Sequence, residues 1–241
     1  MPNLPDKPGK GPANADVAAF LARVNRLPSV RTAGGRPGRL LFAIDATASR
    51  QPTWDRACGL TADMFAAVGQ VGGLAISLAY YRGYGEMAAT PFLSDAAEIT
   101  RRMAGVACLG GQTQIGRVLA HAIAQHRQER IAALVFVGDA VEEDIDRLAH
   151  QAGEMGMLAL PGFFFHEGGD RVAGNAFRQL AQLSGGAYVP FDLASGAALR
   201  ALLQAVAVYA AGGRQALARL AASSRQAATI AGQLPAPGGR R

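Results

Sequence analysis

The sequence predicts an α/β fold: a Rossmann-like, doubly wound, mostly parallel six-stranded sheet with one antiparallel edge strand and helices on both faces. Three observations predict it. Leu40–Ile44 and Ala132–Val137 are continuous apolar runs of strand length, the pattern of parallel strands buried on both faces. Between and beyond them, segments of strand length alternate with segments of helical spacing. Both runs also give way abruptly to carboxylates, Asp45 and Asp139, and open α/β sheets collect their ligands at carboxyl ends of strands.

Taken in order, residues 1–14 are rich in Pro, Gly and Lys and are expected to be a disordered tail. Residues 15–37 form an N-terminal helix and linker. Val17, Phe20, Leu21, Val24 and Leu27 keep helical spacing behind Asn14, a good N-cap, and Pro28–Gly38 is a run of turn formers. The main domain spans 38–211. After its first strand, Pro52 stands at a helix start, and a helix to Val68 offers Trp54, Cys58, Met64 and Phe65 to the interior. Gly72-Gly73 ends it. Leu74–Tyr81 is a second strand, Arg82-Gly83-Tyr84-Gly85 a turn, and Glu86–Phe92 a returning strand that Pro91 confines to an edge. Ser94 caps a helix to Met103. The glycine-rich stretch Cys108–Gly116 opens into a helix to Glu129, and the strand Ala132–Val137 follows.

A helix from Val141 carries Glu142, Glu143, Asp144 and Asp146 in its first turns, where the helix dipole favours acids. Met157–Phe165 reads as a strand interrupted by Pro161-Gly162. Arg171–Leu183 is a helix closed by Ser184-Gly185-Gly186, and Ala187–Phe191 is the last strand. A helix from Ser195 to Ala211 meets Gly212-Gly213, which kinks or ends it. Residues 212–241 make a helical extension, amphipathic from Gln215 to Ile230, and a disordered basic tail.

Composition narrows the functional classes. The formal charge is +6, but residues 1–36 and 193–241 carry +4 and +6 while the middle carries −4. The basicity sits on the arms, so the domain is not expected to bind nucleic acid specifically, and the arms read as solubilising charge or as contacts to an acidic protein, a membrane surface or nucleic acid. No apolar run approaches a membrane span, and the first residues lack the apolar core of a secretory signal. Two cysteines, Cys58 and Cys108, are too few for a disulfide framework and read as small buried hydrophobes. A cytoplasmic location is the expectation.

The chemistry gathers at three loops. Asp45-x-Thr47-x-Ser49 offers a carboxylate and two hydroxyls on one tight turn, oxygen donors suited to a hard divalent cation such as Mg²⁺. Thr113 lies in the glycine-rich loop and Asp139 after a later strand. Together these resemble the von Willebrand factor A (VWA) domain with its metal-ion-dependent adhesion site. The resemblance covers roughly residues 38–210. That family has an Asp-x-Ser/Thr-x-Ser loop after the first strand, a distal Thr ahead of a helix, and an Asp after the fourth strand. It implies a metal set of Asp45, Thr47, Ser49, Thr113 and Asp139 for Mg²⁺ (or Mn²⁺), and a protein partner whose acidic residue completes the shell. Bacterial stand-alone relatives serve as adaptors to ATPases or other complex components, which is the kind of partner the resemblance implies.

Some positions depart from the family pattern. Thr47 keeps the hydroxyl of the commoner Ser. Arg50 stands where many relatives have Met, beside the site, with three roles open to it: repelling Mg²⁺, pairing with Asp45 when no metal is bound, or meeting the partner's acid. Arg50, Tyr81, Arg82, Tyr84 and Gln112 are the candidate partner-binding rim; Tyr81, Arg82 and Tyr84 read equally well as turn residues. Thr113 has a plain alternative as a helix cap, and the acids at 142–146 as a solvated helix start. His121 and His126 are five apart on one helix, not the four that aligns metal ligands.

Catalytic classes fit poorly. An aspartyl-phosphate enzyme would want an acid two residues after Asp45, where Thr47 stands. A serine hydrolase would want a Gly-x-Ser-x-Gly elbow, and a P-loop would want a lysine after Gly110-Gly111. The expectation is a binding module, not an enzyme; the alternatives are a metal-free scaffold acting through its basic arms and, ranked below it, a Mg²⁺-dependent hydrolase.

Overall fold

A computed structural model describes residues 37–53, 59, 74–191 and 196–235, and the statements below are made of these. The sheet is built from β1 (Gly38–Asp45), β2 (Leu74–Arg82), β3 (Glu86–Ala89), β4 (Ala133–Gly138), β5 (Gly162–Glu167) and β6 (Ala187–Phe191). Its order is β3-β2-β1-β4-β5-β6, and every neighbouring pair is parallel except β2 with β3. The helices are α1 (Ala96–Ala104), α2 (Ile115–Gln128), α3 (Ile145–Met157), α4 (Arg171–Ser184), α5 (Gly196–Ala221) and α6 (Arg225–Gln233).

β1 shows why the apolar runs become central strands. Leu40, Phe42 and Ile44 point into one core with residues of α1, α5 and α6, while Leu41 and Ala43 point into the other with α2, α3 and α4. Successive side chains alternate across a sheet, so a strand covered on both faces must be apolar at every position. Burying each large side chain is worth about 1.5–3 kcal/mol. In the second core Phe136 lies 6.3 Å from the Tyr81 ring and 5.5 Å from Phe177. That aromatic packing fixes Tyr81 at the end of β2, beneath the site.

Several boundaries differ from the sequence expectation. The strand expected from Met157 begins only at Gly162, because Met157–Leu160 closes α3. Leu158 N–H donates to Glu154 O at 3.0 Å, Ala159 takes φ 55°, and Leu160 N–H returns to Met155 O at 2.9 Å. The cap of α1 is Asp95, not Ser94; its carboxylate accepts from Ala97 N–H. α3 starts at Ile145 rather than Val141, since Asp144 caps it through Asp146 and Arg147 N–H. The returning edge strand stops at Ala89 rather than Phe92. α5 runs past Ala211 with a break at Gly213 (φ 65°, ψ −166°), and the segment expected to be continuous from Gln215 to Ile230 is divided where Ser224 caps α6. The expected N-terminal tail, helix and linker to residue 36, the helix from Pro52 to Val68 and the tail beyond residue 235 fall largely or wholly outside the described residues.

The residues after Gly213 join the domain core. Leu217, Leu220 and Ile230 are buried in the same cluster as β1, and the Gln233 side chain reaches the edge strand β6. There its amide accepts from Tyr188 N–H at 2.8 Å and donates to Tyr188 O at 2.9 Å.

Candidate functional site

The sheet order brings the carboxyl ends of β1, β4 and β5 side by side, and with them Asp45, Asp139 and Glu167. A Cβ placed on Gly138 would lie 3.6 Å from the Asp45 Cβ, which measures how closely the first two strand ends approach. Asp45 is fully buried. One of its oxygens accepts the Thr47 N–H at 2.7 Å and the other accepts the Tyr81 O–H at 2.9 Å. Burial raises its pKa, with the Asp139 charge adding to the rise and the Thr47 and Tyr81 hydrogen bonds opposing it.

The loop after β1 is pinned at both sides. Ala46 N–H donates to Tyr81 O at 3.0 Å, Leu109 N–H donates to Ala46 O at 3.1 Å, and Arg50 N–H closes a turn on Thr47 O at 3.0 Å. This turn begins a short 3-10 helix, Ala48–Thr53. It sets the Thr47 and Ser49 hydroxyl oxygens 3.1 Å apart, Thr47 buried and Ser49 at the surface.

Thr113 is held by a second brace. Its N–H donates to a Glu142 carboxylate oxygen at 2.9 Å and its hydroxyl accepts the Glu142 N–H at 3.0 Å. Glu143 then takes Ile115 N–H at 2.5 Å and Gly116 N–H at 2.9 Å, satisfying the start of α2. Thr113 is therefore not the cap of α2. Glu142 and Glu143 do not begin a solvated helix; they tie the loop after β4 to the loop before α2. Gly111 lets that loop lie against the β2–β3 turn, since a Cβ there would sit 2.0 Å from Gly83 O.

Arg50 is the main departure from the sequence expectation. Its side chain is 1% exposed and forms an ion pair with Glu167, a residue the sequence reading did not single out. Burial pulls the guanidinium pKa down, while the Asp139 and Asp45 carboxylates hold it up. Arg50 and Tyr81 were expected on a rim and are instead inside, because the 3-10 turn folds the first inward and Phe136 seats the second. Of the other rim candidates, Tyr84 and Gln112 are exposed, and Arg82 bonds to Glu86 and to Ala107 O at 2.9 Å. His126 serves structure, its Nδ1 accepting the Ile131 N–H at 3.2 Å.

The donors fit a hard divalent cation. Adjacent oxygens of an Mg²⁺ octahedron lie about 2.9 Å apart, close to the Thr47–Ser49 separation of 3.1 Å. The Asp139 Oδ1 atom is buried without a hydrogen-bond partner, a group that wants a cation or donor. Among the described residues no three His, Cys, Asp or Glu side chains cluster as a metal site, so hydroxyls would have to share the coordination.

No family model matches the chain, and no curated protein matches it. Solved structures do match. The chain is similar to the VWA domain of SpRpn10 (12% identity, TM-score 0.56, covering 68% of this chain and 95% of that one). It is also similar to an aerotolerance-related membrane protein from Bacteroides fragilis (14% identity, TM-score 0.54, 68% of this chain and 94% of that one). The pilus adhesin SpaC from Lactobacillus rhamnosus GG matches over 75% of this chain and 30% of its own length (9% identity, TM-score 0.59). At these identities the likeness establishes the fold, a VWA-like six-stranded α/β sheet.

Proposed function

We propose that the chain is a protein-interaction module whose binding face is the loop cluster at the carboxyl ends of β1 and β4. In this reading Asp45, Thr47, Ser49, Thr113 and Asp139 hold Mg²⁺ (or Mn²⁺), and an acidic side chain of a partner protein completes the shell. The observation that carries it is the pair of hydroxyl oxygens 3.1 Å apart beside the buried Asp45, with the unpartnered Asp139 Oδ1 near by. A bound cation would supply Lewis acidity toward a carboxylate. The residues do the rest: Asp45 orients the loop through Thr47 N–H, and Glu142 positions Thr113.

Binding rather than catalysis is the reading that fits Ser49, whose hydroxyl meets Thr47 rather than a general base. An adaptor role beside an ATPase or another intracellular complex component, in the cytoplasm, belongs to the same proposal. No described helix is long and apolar enough to cross a membrane.

Calorimetry tests it: Mn²⁺ and Mg²⁺ are titrated into wild type and Asp45→Ala, with and without acetate standing in for the partner's carboxylate. Saturable binding in wild type, tightened by acetate and lost in Asp45→Ala, is expected. Binding that survives Asp45→Ala, or none even with acetate, would turn the reading toward a metal-free scaffold acting through the basic arms.

A further inference from the structure

Arg50 leaves the loop after β1 yet pairs with Glu167 at the end of β5, and β4 lies between those two strands. Neighbouring strands are about 4.8 Å apart, so the Arg50 side chain must cross the end of β4, where Asp139 follows Gly138. The guanidinium is 1% exposed, out of reach of bulk counter-ions. The carboxylates of Asp45, Asp139 and Glu167 thus share one fixed internal cation. A cluster of three buried or half-buried acids with no cation would repel itself. With Arg50 present, its formal charge is −2.

We propose that Arg50 is a resident counter-ion of this site, which neutralises part of the acidic cluster in the metal-free protein and competes with a divalent cation for the Asp45 and Asp139 carboxylates. This rests on the cation-binding reading of the loops and adds its regulation. A divalent cation has to enter beside a guanidinium, so its affinity is set low until a partner's carboxylate contributes. The apo protein keeps its fold because the internal cation stays.

Arg50→Met removes the charge and keeps an unbranched apolar stem. Mn²⁺ binding to wild type, Arg50→Met and Arg50→Met/Asp45→Ala is measured by calorimetry, alongside thermal melting in EDTA and in Mn²⁺. Arg50→Met is expected to bind Mn²⁺ at least about tenfold more tightly than wild type, to lose that binding when Asp45→Ala is added, and to gain more melting temperature from Mn²⁺ than wild type does. Equal or weaker binding by Arg50→Met overturns the inference, even if wild type binds Mn²⁺ and the cation-bridged function stands. Binding by Arg50→Met alone supports the inference, and it overturns that function for the wild type only where wild type stays silent with acetate added as well. Absence of binding in both, with acetate added as well as without it, overturns both. If Arg50→Met does not fold in EDTA, restoration of a cooperative melt by Mn²⁺ is the supporting result. If it stays unfolded in Mn²⁺, Arg50→Gln decides by the same affinity comparison.

Discussion

Tyr81→Phe isolates one hydrogen bond at the base of the site. The substitution removes the O–H that donates to Asp45 at 2.9 Å and leaves the ring stacked 6.3 Å from Phe136, so packing is retained. Asp45 is fully buried, and no bulk water replaces the donor. Hydrogen bonds to charged groups contribute about 1.5–3 kcal/mol; relief from burying the Tyr hydroxyl offsets part, which leaves a loss of about 2 kcal/mol. For a domain of this size, that lowers the melting temperature by about 4–8 °C. The assay is urea and thermal unfolding in EDTA for wild type, Tyr81→Phe, Asp45→Ala, which removes the acceptor, and the double variant. The two single effects should couple by about 1 kcal/mol or more, since the residues share one bond. A Tyr81→Phe variant within about 0.5 kcal/mol of wild type, or strict additivity in the cycle, would refute the claim that this bond holds the carboxylate.

Two further outcomes follow from the site's geometry. Glu143→Ala removes the acceptor of both Ile115 and Gly116 N–H, and should cost about 1–3 kcal/mol while increasing hydrogen exchange at those two amides; unchanged exchange there would show that other groups cap α2. The raised pKa of Asp45 makes the metal-free protein bind more protons at this site than the unfolded chain does. Its contribution to stability is therefore present below the unfolded value, 3.8, and is lost as pH rises through the folded pKa. In EDTA, Asp45→Asn should gain stability relative to wild type as pH increases from about 4 to about 7; a gap that is flat with pH would contradict it.

The fold was legible because burial on two faces leaves strong signatures: unbroken apolar strands such as Leu40–Ile44, and carboxylates where strands end. Boundaries set by local hydrogen bonds were not. Met157 and Leu158 look like strand residues by apolarity, yet their backbone groups complete α3. In the site, the loop motif announced Asp45, Thr47 and Ser49 as neighbours, because three residues on one turn cannot be far apart. Glu142 and Glu143 gave no such signal. Their partners are Thr113, Ile115 and Gly116, 27 to 29 residues away, and a cluster of acids before a helix has an ordinary explanation in the helix dipole. The sequence shows Arg50 as a cation beside the motif, but its inward direction depends on the 3-10 turn, and its partner Glu167 is visible only once β5 is placed two strands from β1.

The clasp between Gln233 and Tyr188 has a meaning for self-association. A sheet's outermost strand is a template for any extended peptide, and chains that leave it bare tend to polymerise edge to edge. A glutamine amide is chemically a peptide group on a tether. By offering both its carbonyl and its NH₂ to Tyr188, α6 presents β6 with a counterfeit next strand. At the opposite margin, β3 is only four residues long, too short to recruit much. A version of this chain cut before Arg225 would lose Ala227 and Ile230 from the core and would leave the Tyr188 peptide groups of its far edge open to another extended strand.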